Sequence, residues 1–340
     1  MIGEGQRCFI IAEAGVNHNG DIGLAKKLID AAQAAGADAI KFQTFIAEDL
    51  VTGTAEKAFY QMENDPDTTS QFEMLRKLEL YEQDFIELSE YAEKKGIIFL
   101  STAFDNTSIG ILSRIGVPAF KIPSGEITNF PYLKEIALLH KPVIMSTGMS
   151  TIGEISEALS CLRDNGCNDI ILLHCTTSYP APLSSVNLRA ISTLREQFGI
   201  QVGYSDHTEG IIISIAAAAM GACIIEKHLT LDRNLPGPDH MASLDPRDFI
   251  QMVSAVRDVE LALGSGEKQP QECELDNRRI SRKSIVAALD IPVGTQLTHV
   301  MLAIKRPGTG IEPKNLGNMI GKKTRSIIKK DSVISWDMIE

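Results

Sequence analysis

Residues 201–208 read Gln201-Val202-Gly203-Tyr204-Ser205-Asp206-His207-Thr208, and residues 221–228 read Gly221-Ala222-Cys223-Ile224-Ile225-Glu226-Lys227-His228. Each is a short apolar run that ends in a histidine. Between them lies Ile211–Met220, apolar enough for a buried helix. A strand, a helix and a second strand is the repeating unit of a parallel sheet. In such a sheet closed into a barrel, both imidazoles would converge on the carboxyl ends of the strands, where barrels of this architecture carry their chemistry. Neutral imidazole is the commonest protein metal ligand near neutral pH, so a metal is the first expectation for the pair.

The same unit recurs upstream. Apolar runs occur at Cys8–Ala14, Ala39–Phe45, Ile97–Phe104, Ala119–Pro123, Pro142–Ser146 and Asp169–Cys175, which with Gln201–Tyr204 and Cys223–Ile225 makes eight. Segments with apolar residues at three- and four-residue spacing separate them, among them Ile22–Ala35, Gln83–Lys95, Tyr132–Leu139, Ile152–Asp164 and Leu188–Phe198. Gly36, Gly96, Gly116, Gly166, Gly199 and Gly221 each precede a run, where a helix C-cap needs positive φ. A final helix, Pro246–Leu263, starts from Asp245 as N-cap. Eight strand-helix units predict an α/β fold, a (β/α)8 TIM barrel over residues 1–263. No G-x-G-x-x-G follows the first run, against a doubly wound sheet. Val51–Asn64 is a long insertion, read as an active-site loop. Residues 264–282 are polar and read as a linker. Residues 283–340, with strand-like runs at Ser284–Ala288, Met301–Ile304 and Thr324–Ile328, predict a small β-rich domain that needs a partner for stability.

Composition narrows the function classes. The chain has 340 residues, 44% hydrophobic and 23% charged, with a formal net charge of −11. That balance argues against nucleic-acid binding and offers no polybasic patch to a membrane. The apolar run at residues 8–14 is too short and too polar for a signal peptide or a membrane span. The six cysteines show no C-x-x-C spacing and read as reduced thiols. A soluble, cytoplasmic protein is expected.

Polar residues crowd the ends of the runs. They include Glu13, Lys41 and Gln43, Ser101 and Thr102, Lys121, Ser124 and Glu126, Ser146, His174, Thr177 and Tyr179, and the two histidine motifs. Alternation puts Lys41 with Gln43, Ser205 with His207, and Glu226 with His228 on one face, facing inward in a barrel. Two lysines with hydroxyls and glycine-flanked amides suit a phosphate beside a carboxylate. Two histidines form an incomplete ligand set, which leaves positions for water or substrate, as in a catalytic metal site. Glu13 and Glu126 suit proton transfer or gripping hydroxyls. Plainer roles stay open: Lys41 as one half of a barrel ion pair, Ser101 and Ser146 as partners for backbone groups, and His174 as a packed, hydrogen-bonded core histidine.

Several motifs, in order and spacing, resemble the sialic acid (N-acetylneuraminate) synthase and nonulosonate synthase family, which includes N,N'-diacetyllegionaminate synthases. They are Glu13-Ala14-Gly15-Val16-Asn17-His18-Asn19-Gly20, Lys41-Phe42-Gln43-Thr44-Phe45, Lys121-Ile122-Pro123-Ser124-Gly125-Glu126, Ser146-Thr147-Gly148-Met149, the two histidine motifs, Gly237-Pro238-Asp239-His240 and Lys305-Arg306-Pro307-Gly308-Thr309-Gly310. The resemblance spans essentially the whole chain. It implies a TIM barrel followed by an antifreeze-like (SAF) domain, and a reaction joining phosphoenolpyruvate, water and an N-acylated mannose-type aldehyde with release of phosphate. It puts the phosphoenolpyruvate pocket on Lys41, Thr102, Lys121, Ser124, Ser146, Thr177 and Ser205, and a divalent metal, Mn²⁺ first and Mg²⁺ or Co²⁺ next, on His207 and His228. Sugar contacts fall on Glu13, Gln43, Glu126, Tyr179, Asp239 and Arg306. Arg306 would arrive from the neighbouring subunit of a domain-swapped homodimer. Lys41, Lys121 and Glu126 are the expected catalytic groups, with Glu126 positioning or deprotonating the attacking water. Thr177 stands where some members carry Asn.

The motifs suit two acceptors: N-acetylmannosamine, giving N-acetylneuraminate, is taken first, with 2,4-diacetamido-2,4,6-trideoxymannose, giving N,N'-diacetyllegionaminate, close behind. An arabinose phosphate or erythrose phosphate acceptor fits the small C-terminal domain poorly. A metal hydrolase leaves the lysine-hydroxyl pocket unexplained, and a non-catalytic carbohydrate-binding protein leaves the whole strand-end set unexplained.

Overall fold

The computed structural model describes residues 2, 3 and 5–340, apart from the side chain of residue 63. The chain divides into two compact units, Met1–Gly264 and Ser265–Glu340. In the first, eight strands close into a parallel barrel in sequence order. They are β1 Phe9–Gly15, β2 Ala39–Thr44, β3 Ile98–Ala103, β4 Phe120–Ile122, β5 Val143–Ser146, β6 Ile170–Cys175, β7 Val202–Asp206 and β8 Ile224–His228. The strands match the runs read from the sequence, except that β7 and β8 extend beyond the apolar residues into Ser205-Asp206 and Glu226-Lys227-His228. Those polar residues stay in the ladder because they pair with each other across it: Ser205 lies opposite Glu226, and Asp206 opposite Lys227.

Alternation sorts each strand into two faces. Ile10, Ala12, Ile40, Phe42, Tyr204 and Ile225 point outward into the main core shared with the helices. Ile11, Ala39, Leu100, Ile144, Leu173 and Ile224 form a separate apolar layer inside the barrel. Burying each such large aliphatic contributes about 1.5–3 kcal/mol, which makes this layer a firm floor. Gly203 must be glycine here, because a Cβ would sit 2.7 Å from Ile224 Cβ and 2.7 Å from Leu173 Cδ2. Two residues further along the same faces come Glu13, Lys41, Thr102, Ser146, Cys175, Ser205 and Glu226, so the polar layer rests directly on the apolar one.

All six glycines expected at helix C-caps have positive φ. The last barrel helix, Pro246–Leu263, is capped by Asp245, whose carboxylate accepts from Asp248 N at 2.9 Å. The insertion after β2 differs from a plain loop: it holds the short helices Ala47–Leu50, Phe59–Asn64 and Gln71–Leu78. Val16, Phe45, Met74 and Leu78 give it a small core of its own, with Leu50, Leu75 and Phe104 packed against it. All six cysteines are free thiols. No helix among the described residues is long and apolar enough to cross a membrane.

The second unit contains one antiparallel pair, β9 Ser284–Ala287 with β10 Leu302–Lys305, over a core of Ile285, Ile291, Leu297, Ile311, Met319 and Ile334. Two expectations change. The polar stretch 264–282 contains a helix, Leu275–Ser281. Thr324–Ile328 is not a strand; Thr324 and Ile328 make only isolated bridges, to Ile339 and Ile291. The turns around Pro292 and Gly294 break the partner segment before a longer ladder can form.

Candidate active site

The carboxyl ends of the strands and the insertion enclose a cavity of about 420 Å³. Its floor is a four-charge network. Lys41 Nζ lies 2.6 Å from Glu13 Oε2 and 3.7 Å from Glu226 Oε2, and donates to Thr102 Oγ1 at 2.9 Å. Lys121 Nζ lies 3.9 Å from Glu226 Oε1 and donates to Ser146 Oγ at 2.6 Å. Ser205 Oγ donates to Glu226 Oε1 at 3.0 Å, and Gln43 Nε2 to Glu13 Oε1 at 3.3 Å. The strand register causes this arrangement, since Glu13 is opposite Lys41, Thr102 opposite Lys121, and Ser205 opposite Glu226.

All four charged groups are buried, at 2–5% exposure, so each one's ionisation depends on the others. Burial pushes the Glu13 carboxyl up, and the like charge of Glu226 adds to this against the pull of Lys41. Burial also acts upward on Glu226, but Lys121 and Lys41 outweigh it and hold this carboxyl below its ordinary value. Burial lowers Lys121 against the attraction of Glu226, whereas for Lys41 the two carboxylates overcome burial and raise it. One carboxyl is therefore biased towards holding a proton and the other towards staying ionised, the separation of roles that acid–base chemistry requires.

The histidines stand beside this floor, with ring centroids 5.7 Å apart. Burial lowers both: His207 against a hydrogen bond to the Thr176 carbonyl, and His228 further, with His207 and Lys41 adding to the effect. His207 Nδ1 donates to Thr176 O at 2.7 Å, which leaves Nε2 as the accepting nitrogen, 3.4 Å from Ser205 Oγ. His228 Nδ1 is buried without a hydrogen-bond partner, 3.9 Å from Asp239 Oδ2. Burial raises Asp239 to about 6. Neutral imidazoles with an accepting nitrogen and an orphaned one fit a divalent cation. Among the described residues no group of three or more His, Cys, Asp or Glu side chains is arranged to hold a metal. A cation at the histidine pair would draw its remaining ligands from water or substrate. The Tyr179 ring packs against both, 4.2 Å from His207 and 5.8 Å from His228 by centroid.

A second cluster adjoins Lys121. Gly148 N donates to Ser124 Oγ at 2.9 Å, and Ser124 Oγ lies 3.3 Å from Cys175 Sγ, beside Thr177. These small groups suit the oxygens of an anion whose charge the lysines balance.

Of the residues singled out from the sequence, Glu13, Lys41, Gln43, Thr102, Lys121, Ser124, Ser146, Thr177, Tyr179, Ser205, His207, His228 and Asp239 line this one cavity. Glu126 does not. Strand β4 ends at Ile122, and Ser124–Glu126 is a 3-10 turn that brings Gly125 to the cavity, while the Glu126 carboxylate accepts from Asn129 Nδ2 at 2.6 Å. The Glu126 carboxylate thus lies against Asn129, beside the residues that line the cavity and not among them. Arg306 belongs to the other unit and is exposed there. Lys41 is both an ion-pair partner and a cavity wall, so its two sequence readings coexist. His174 is the packed histidine expected, with Nε2 2.7 Å from Val186 O. Sequence reasoning faced Glu226 inward without giving it a role, and it is the hub of the network. It read Val51–Asn64 as an active-site loop, and Val51, Tyr60 and Gln61 do line the cavity, but it missed the further wall of Leu50, Gln71, Met74, Leu75 and Leu78. The spacing of Gln71, Met74, Leu75 and Leu78 was the available signal.

Two family models match the sequence: the NeuB family over residues 28–268 and the SAF domain over 282–340. The N,N'-diacetyllegionaminic acid synthase of Legionella pneumophila subsp. pneumophila is 49% identical, covering 99% of this chain and 96% of its own. The N-acetylneuraminate-9-phosphate synthase of Homo sapiens is 38% identical, covering 100% and 94%. The solved N-acetylneuraminic acid synthetase of Leptospira borgpetersenii serovar Hardjo-bovis, in complex with citrate, superposes with a TM-score of 0.72 at 37% identity, covering 81% of this chain and 92% of that one.

Proposed function

The chain belongs to the NeuB family, with a SAF domain at its C-terminal end, and from that premise we propose that it condenses phosphoenolpyruvate with 2,4-diacetamido-2,4,6-trideoxymannose and water, forming N,N'-diacetyllegionaminate and phosphate. The observation that carries the reaction class is the meeting of Lys41 and Lys121, a set of hydroxyls and two neutral histidines in one cavity. The acceptor reverses the order taken from the sequence, whose motifs suit both sugars and which put N-acetylmannosamine first. A relative 49% identical over nearly the whole chain is named for the legionaminate product, whereas the relative named for the sialic acid 9-phosphate is 38% identical.

In this reading Lys41 and Lys121 bind the phosphate and carboxylate of phosphoenolpyruvate, with Thr102, Ser124, Ser146, Thr177 and Ser205 taking the remaining oxygens. Holding both reactants in register supplies much of the rate. His207 and His228 would hold Mn²⁺, which supplies Lewis-acid polarisation of the acceptor's aldehyde oxygen. The methylene carbon of phosphoenolpyruvate bonds to the aldehyde carbon, and the aldehyde oxygen takes up a proton. Water adds at C2, the C2–O bond to phosphorus breaks, and the α-keto acid and inorganic phosphate result. The two protons of the water balance the new hydroxyl and the departing phosphate. Glu13, whose carboxyl is held up by burial, is the group suited to move a proton at the aldehyde oxygen. Gln43, Tyr179 and Asp239 would orient the acceptor, and Arg306 would reach it from the partner in a swapped homodimer.

Phosphate release with phosphoenolpyruvate, Mn²⁺ and a panel of mannose-type sugars tests the reading. Release that depends on the trideoxy sugar, and is abolished by chelation and by His207→Ala, is the expected result. No release with any mannose-type acceptor, or activity that survives thorough chelation, would overturn it.

A further inference from the structure

The helix Gln71–Leu78 presents one side to the cavity: Gln71, Met74, Leu75 and Leu78, at positions i, i+3, i+4 and i+7, all line it. Met74 and Leu78 are buried and root this side in the insertion's own core with Phe45 and Val16. Leu75 and Gln71 are half-buried, which leaves them as the surface that a ligand meets. Arg76, on the opposite side, pairs with Glu48 at 3.0 Å and Glu79 at 3.2 Å, tying the helix to the neighbouring helix Ala47–Leu50. The mechanism above makes no use of this surface.

Its chemistry contrasts with the floor. The lysines among the described lining residues, Lys41 and Lys121, both belong to the floor network, and no lining residue of the insertion is cationic. The Leu50, Met74, Leu75 and Leu78 part of the wall, which Tyr60 and Gln61 adjoin, has nothing to replace the hydration of a phosphate and little to replace that of a hydroxyl. It gains from covering an alkyl carbon. The amide of Gln71 offers N–H donors and a carbonyl acceptor, the complement of an acylamino group.

The aldehyde end of any acceptor has to sit at the floor, against the histidines and phosphoenolpyruvate. The far end of the sugar chain is thereby directed away from the floor, to the level where the insertion supplies part of the wall. We infer that the cavity-facing side of the helix Gln71–Leu78 selects the acceptor at its far end: Leu75, backed by Met74 and Leu78, takes a terminal methyl carbon, and Gln71 takes an acylamino group on the chain. The surface thus reads a 6-deoxy, acylamino-substituted aldose and disfavours a hydroxymethyl or phosphorylated terminus. This inference rests on the acceptor proposed above and assigns the residues that choose it.

The test compares kcat/KM for 2,4-diacetamido-2,4,6-trideoxymannose, N-acetylmannosamine and N-acetylmannosamine 6-phosphate in the full-length enzyme. Wild type should prefer the trideoxy sugar by about 10- to 100-fold over N-acetylmannosamine, the range open to a hydrophobic pocket facing an added hydroxyl. It should not turn over the phosphorylated sugar. Leu75→Gln should cut the preference about tenfold while the KM for phosphoenolpyruvate stays unchanged, a split that general damage to the barrel would not produce. Gln71→Leu, a milder change on the same surface, should weaken the diacetamido sugar relative to N-acetylmannosamine. If wild type prefers the trideoxy sugar but both variants keep its selectivity, the helix assignment is wrong and the proposed function stands. If wild type uses N-acetylmannosamine at least as well, the acceptor reading and this inference fall together.

Discussion

Lys227 Nζ lies 3.0 Å from Asp206 Oδ2, fully buried behind the strands whose cavity faces carry His207 and His228. Asp206 also accepts from Thr208 N, Thr208 Oγ1 and Ser214 Oγ, and Lys227 donates to the Thr208 carbonyl. The pair therefore ties the residue before one histidine to the residue before the other. A buried ion pair is a poor source of net stability, because desolvation opposes the attraction, but losing one partner is costly. Asp206→Leu strands a lysine and three further donors, so it should cost about 3–5 kcal/mol in urea unfolding. Lys227→Met leaves Asp206 its other donors and should cost less. The double variant should recover part of the Asp206→Leu loss, and an additive double variant would count against the pair as a unit.

Glu226 keeps Lys121 charged against burial. With Glu226→Gln the attraction is gone and the lysine loses its proton at lower pH. Lys121 binds an anion only as the ammonium, so kcat/KM for phosphoenolpyruvate declines as pH rises through its pKa. The alkaline limb of that profile should move to lower pH in Glu226→Gln by about one unit or more, since a full charge near 4 Å in a protein interior is worth about 4 kcal/mol before compensation. A limb that stays in place would mean that Glu226 does not set the state of Lys121.

The barrel was legible because its rules are local. Alternation decides which residues face inward, and a glycine at each helix end marks where the next strand begins. Glu126 was singled out as a strand-end residue, but the chain leaves β4 at Ile122 for a 3-10 turn that carries Gly125, and not Glu126, to the cavity. Glu226 was placed correctly but given no role, because its importance lies in contacts with three other strands. The wall at Leu75 was signalled only by the helical spacing of Gln71, Met74, Leu75 and Leu78; that this side meets the cavity depends on how residues 46–80 fold over the barrel mouth.

His18 is buried and held at about 4, mainly by desolvation with a contribution from His240. Its Nδ1 accepts from Gly20 N at 3.1 Å, and its Nε2 has no partner. In the unfolded chain the ring takes a proton near 6.5. The unfolded state therefore binds the extra proton first, and stability present above pH 6.5 is lost as pH falls towards 4. One histidine shifted this far sets a ceiling of about 3 kcal/mol. His18→Asn should lower stability at pH 7 and flatten its pH dependence between 6.5 and 4, by urea unfolding at a series of pH values. An unchanged slope would show that His18 is not the titrating group.

Gly148 packs against hydroxyls proposed to bind phosphoenolpyruvate. A Cβ there would lie 2.2 Å from Thr177 Oγ1, 2.9 Å from Ser124 Oγ and 3.1 Å from Cys175 Sγ. The hydroxyls can move only by turning away from the cavity or displacing the strand ends that carry them. Gly148→Ala should therefore disarrange two groups proposed to bind phosphoenolpyruvate without touching the lysines, the histidines or the apolar wall. The KM for phosphoenolpyruvate should rise about tenfold or more, as expected when one or two charge-assisted hydrogen bonds are lost. The KM for the acceptor should stay within about twofold. The opposite pattern, with the acceptor KM rising and phosphoenolpyruvate unaffected, would place the sugar rather than the phosphate against Ser124 and Thr177.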